Sequence, residues 1–90
     1  MGYAWTITSD SFDGEDVGVT GPRSVNLGAK EIIAHPGRQH FKMYDDDGNH
    51  YYSGFLVGGD GFEPLDDFGT PNAGCTEIRY RGKDGRYSTL

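Results

Sequence analysis

Tyr3, Trp5 and Ile7 alternate with Ala4, Thr6 and Thr8, the period-two pattern of a half-buried strand built from β-branched and aromatic side chains. Ser9-Asp10-Ser11 and Asp13-Gly14-Glu15-Asp16 break it with turn chemistry. Val17 and Val19 suggest a short second strand ending at Thr20-Gly21-Pro22. The period then lengthens. Val25, Ala29, Ile32 and Ile33 fall at i, i+4, i+7 and i+8, which predicts a helix from about Ser24 to Ala34. Ser24 or Asn26 would cap its first turn, and His35 before Pro36-Gly37 would end it. Gly28 costs this helix roughly 1 kcal/mol relative to Ala, so packing on a sheet has to hold it.

Residues 39–57 carry the strongest local signal. Phe41 and Met43 alternate with Lys42 and Tyr44, Tyr51 to Val57 form a second β-rich run, and Asp45-Asp46-Asp47-Gly48-Asn49 lies between. Asp-Gly between two such runs predicts a hairpin, because Gly tolerates the positive φ of the turn. A two-residue Asp47-Gly48 loop would pair Met43 with Tyr52 and Phe41 with Gly54. A three-residue loop with Gly48 in a bulge would pair Met43 with Tyr51, exposing different tyrosines. Residues 58–75 show no lasting periodicity, yet Phe62, Leu65 and Phe68 recur every three positions and argue for order. Pro64 can open a helical turn through Asp67, with Gly69 as its stop. A segment this long without regular structure is where a site is first sought. Thr76 to Arg81 alternate again, Lys83-Asp84-Gly85 is a second Asp-Gly turn, and Arg86 to Leu90 return. The elements predict one α+β domain over residues 1–90. It is a small antiparallel sheet of roughly four to six strands with two Asp-Gly hairpins and one short helix packed on one face.

Composition changes this picture in one respect. Four Leu, four Ile, four Val and five Phe are few for a folded chain of 90 residues. Six Tyr and Trp5 make up the difference, since a large ring buries about 150–250 Å². The core should therefore be aromatic, and a homodimer sharing that core is the alternative.

Charge is uneven. The net value is −6, and residues 43–70 hold seven acids (Asp45, Asp46, Asp47, Asp60, Glu63, Asp66, Asp67) with no Lys or Arg. The last fifteen residues hold Arg79, Arg81, Lys83 and Arg86 against Glu77 and Asp84. No apolar run approaches the roughly 18 residues of a membrane span, and no basic-then-apolar signal segment is present. The expected location is the cytoplasm, or the host cytoplasm for a viral gene.

Candidate chemistry is sparse. With Gly48 at the sixth position of an EF-hand loop, Met43 and Gly54 occupy the first and twelfth, so the first ligand and the bidentate acid are missing. Asp67-Phe68-Gly69 matches a kinase tripeptide without the rest of a kinase. Cys75 with His40, His50 and Asp45 would be the set for a small enzyme or metal protein, but Cys is also a small core hydrophobe. Lys42, Tyr44, Tyr51 and Tyr52 could stack on bases, although seven nearby acids should repel phosphate. The expectation is thus a non-catalytic protein-binding module without cofactor. Asp45, Asp46, Asp47, Tyr51, Tyr52, Phe62, Asp66 and Asp67 would dock a basic partner surface, with neither nucleic acid nor membrane contacted directly. An acidic inhibitor or decoy of a nucleic-acid-binding protein, as in phage counter-defence, is its sharpest form. A structural oligomeric component is a further class.

Overall fold

The computed structural model describes residues 3–11, 14–22, 27–59 and 61–90. Strand β1 (Ala4–Asp10) is followed by β2 (Thr20–Gly21), helix α1 (Ala29–Ala34), β3 (Gln39–Tyr44) and β4 (His50–Val57). A π-helical turn (Leu65–Gly69) continues into α2 (Thr70–Ala73), and β5 (Glu77–Arg81) and β6 (Tyr87–Thr89) close the chain. All strand pairs are antiparallel, in the order β2-β1-β4-β3-β5-β6. The architecture is α+β: a six-stranded sheet with short helices.

Alternation sorts the side chains onto two faces. One face carries Trp5, Ile7, Phe41, Met43, Tyr52, Leu56, Ile78 and Tyr80, and Leu65, Phe68 and Cys75 cover it to make the main core. This core is aromatic, as the composition requires. Trp5 and Phe68 rings lie 5.3 Å apart and Tyr52 and Phe68 4.9 Å apart, tilted or edge-on, as ring quadrupoles favour. The other face buries Ala4 and Val57 beneath Ile32 of α1. Helical cover therefore lies on both faces rather than one, and the segment 61–75 supplies the larger part.

Residues Asp45 to Asn49 join β3 and β4. The Gly48 amide donates to the Asp45 carbonyl at 3.1 Å, and Gly48 has φ of 81°, a conformation an L side chain rarely adopts. Tyr44 pairs with His50, as a three-residue loop dictates, yet Met43 pairs with Tyr52 and Phe41 with Gly54. Tyr51 is the extra residue. A bulge there combines the longer turn with the register expected of the shorter one. Gly54 is needed on this face for close approach: a Cβ there would lie 2.0 Å from the Thr6 carbonyl oxygen and 2.8 Å from the Phe41 ring.

Three expected elements differ. The helix is confined to Ala29–Ala34 and only Ile32 is buried, while Ile33 is 41% exposed. Its periodic partner Val25 and the caps Ser24 and Asn26 lie outside the described residues. Gly28 stands at the extended N-cap, its amide donating to Glu31 Oε1 at 3.3 Å, so its helix penalty does not arise. The second strand is Thr20–Gly21, and Val17 is exposed. Gly69 does not stop the helical turn after Pro64; it sits at φ −60° inside the helix, which ends at Gly74 with φ of 69°. Gly69 is required for a different reason, because a Cβ would come within 2.6 Å of Met43 Sδ. Among the described residues no helix is long and apolar enough to cross a membrane.

Candidate functional site

The residues nominated from the sequence are dispersed by the fold. Asp45, Asp46 and Asp47 occupy the turn beyond the Tyr44–His50 pair. Asp45 is absorbed in building that turn. Its Oδ1 accepts the amides of Asp47 at 2.9 Å and Asn49 at 2.8 Å, and its Oδ2 accepts Asn49 Nδ2 at 3.1 Å. The backbone hydrogen bond from Asn49 is the main cause holding its carboxyl below the usual range. Asp46 and Asp47 are exposed and free of this duty. Tyr51 is half-buried at the bulge.

Tyr52 is corrected from surface to core. It is 2% exposed, and its hydroxyl donates to Asp16 Oδ2 at 3.3 Å, so no partner can reach its ring. Phe62 is 49% exposed, and Asp66 and Asp67 are exposed on the helical segment.

Asp67 is the nominated residue with a built environment. Its Oδ2 accepts the Tyr3 hydroxyl at 2.6 Å and the Trp5 indole N–H at 3.1 Å. Those donors come from β1 and the residue before it, far away in sequence. The carboxylate thus stands fixed on the wall of a pocket of about 390 Å³, lined also by Trp5, Phe68, Thr20, Gly21 and Pro22. Local charge is negative. The hydrogen bond to Asp67, with burial and the charges of Asp67, Glu63 and Asp66, pushes the Tyr3 hydroxyl up to about 12. Gly21 faces Trp5 so closely that a Cβ would sit 2.4 Å from the indole, which keeps this edge open to nothing bulkier. The turn acids and Asp67 do not form one surface, because Trp5 pairs with Leu56 toward the other end of β4 from the turn. Tyr3 and Trp5 escaped the sequence reading as site residues; they read only as a strand pattern.

The set proposed for an enzyme or metal protein is not assembled. Cys75 is fully buried in the main core, and burial pushes its thiol up to about 11. His40 and His50 project from the opposite face. His40 shares a hydrogen bond with the Tyr87 hydroxyl, and His50 contacts Ser53 Oγ at 2.7 Å and Ser11 Oγ at 3.3 Å. Among the described residues no three His, Cys, Asp or Glu side chains are grouped as for a metal. No family model matches the chain, and no curated protein or solved structure matches it.

Proposed function

We propose that the protein is a non-catalytic binding module that takes a cationic side chain of a partner protein into the pocket beside Asp67. One observation carries this reading: an exposed carboxylate, oriented by Tyr3 and Trp5, on the wall of a pocket with aromatic lining. A Lys or Arg side chain needs that combination, a charged acceptor for its head and apolar surface for its stem. Glu63 and Asp66 add to the negative potential around it. Acting in the cytoplasm, such a module would serve as an inhibitor or decoy for a protein with a basic, nucleic-acid-binding surface.

Trp5 is the chain's single tryptophan, so its emission reports directly on the pocket. Titration with a lysine- or arginine-rich peptide should change that emission saturably, and salt should weaken the effect. Asp67→Asn, which keeps an acceptor but removes the charge, should lower affinity about fivefold, from the ~1 kcal/mol of a well-placed ion pair. Asn at Asp45, Asp46 and Asp47 should matter less. An emission that no basic peptide alters would end this reading.

A further inference from the structure

Among the described residues, α1 packs on one end of the sheet face opposite the main core, and Lys42, Tyr44, Arg79 and Tyr87 elsewhere on it are partly exposed. Strand register places Lys42 at its middle, opposite Ser53 on β4 and Arg79 on β5, while Arg81 pairs with Tyr87 on β6. Cations and rings on this face are stacked. The Arg79 guanidinium lies 4.1 Å from the Tyr44 ring centre, Lys42 Nζ 4.3 Å from that of Tyr87, and Arg38 5.6 Å from that of Phe55. Arg38, Lys42, Arg79 and Arg81 thus bring four permanent positive charges to one side. Among the described strand residues the register sets one carboxylate against them, Glu77, paired with Arg79.

Phosphate repulsion was expected because seven acids lie close to Lys42 in sequence. The fold moves three of them away from it. Glu63, Asp66 and Asp67 belong to the segment that covers the other face, Asp45 to Asp47 stand at the turn, and Asp60 lies outside the described residues. Stacked layers are roughly 10 Å apart, more than the Debye length of about 8 Å at physiological salt. A ligand lying on this face therefore meets the cations directly and the acids beyond the sheet largely screened. The cations also act on the neighbouring histidines. Burial first, then the charges of Arg81 and Lys42, lowers the pKa of His40, and burial and Lys42 do the same to His50.

We propose that this face binds a short stretch of single-stranded nucleic acid, with Arg38, Lys42, Arg79 and Arg81 meeting phosphates and the Arg79–Tyr44 stack and Tyr87 ring receiving bases. An acidic polypeptide would use the cations and leave the rings without a role, whereas a single strand uses both. The middle of the face is sheet, and among the described residues no helix stands on it to enter a duplex groove. This site is on the opposite side of the sheet from the Asp67 pocket and stands or falls separately.

The test is fluorescence anisotropy of a labelled decathymidylate at low salt, with the protein as titrant, repeated as salt is raised. Binding should weaken with salt at a log–log slope of about −2 to −3, as three to four phosphate contacts require. Lys42→Gln and Arg79→Gln should each reduce the slope's magnitude by about 0.7. Tyr44→Leu should weaken binding while leaving the slope unchanged, and Asp67→Asn should have no effect. Circular dichroism of each variant guards against misfolding. Absence of binding at low salt overturns the proposal. So does binding that ignores both charge substitutions, or polyglutamate or inorganic polyphosphate competing as well as the oligonucleotide, since that shows recognition of charge without bases.

Discussion

His40 and His50 sit among cations and partly out of water, and both are held below the ordinary imidazole value. In the folded chain they stay neutral at a pH where an unfolded imidazole, near 6.5, takes a proton. The unfolded state then binds more protons, so their contribution to stability is complete above about pH 6.5 and lost as pH falls through their lowered values. Thermal midpoints should therefore drop as pH falls below about 6.5, and His50→Gln should flatten part of that drop. Asp45, also lowered, acts only further into acid, near and below its ordinary carboxylate range. Nothing in the spacing of His40 and His50 revealed these environments, because they arise first from burial in the fold and then from Lys42, with Arg81 added at His40. The alternation of His40, Lys42 and Tyr44 was nevertheless legible as a face of β3.

At the scale of elements, the core-facing positions of β1, β3 and β5 were legible because period-two alternation is local, whereas β2 lies at Thr20–Gly21 rather than at Val17 and Val19. Trp5 with Ile7, Phe41 with Met43, and Ile78 with Tyr80 all fall on the core side. The bulge at Tyr51 was not legible, since it reconciles a turn preferred locally with a register demanded by Gly54 fitting beneath Thr6. Nor was the path of 61–75, where Gly74 rather than Gly69 ends the helix. Leu65 and Phe68 did declare that this segment is ordered. Its contribution can be measured. Phe68 touches both Trp5 and Tyr52, so Phe68→Ala should cost about 3–5 kcal/mol, a large part of the roughly 5–15 kcal/mol typical of a domain. Chemical denaturation should show the loss, and Trp5 emission should shift to the red in the native state as its cover is removed.

For the molecule as a whole, the net charge of −6 conceals a division. Glu63, Asp66 and Asp67 line one side, and Lys42, Arg79 and Arg81 the other, so linear runs of charge become opposed faces only after folding. A consequence is dual behaviour on ion exchangers at neutral pH and low salt. The protein should bind an anion exchanger, as its pI of about 4.7 dictates, and also be retarded on a cation exchanger or heparin. The double change Lys42→Gln and Arg79→Gln should abolish the second interaction alone. The order of strands has a consequence of another kind. β1 lies between β2 and β4, yet roughly forty residues separate the end of β1 from the start of β4, which is about 2–8 s of synthesis at ~5–20 residues per second. Throughout that interval a growing chain carries Trp5 and Ile7 on a strand whose main partner does not yet exist.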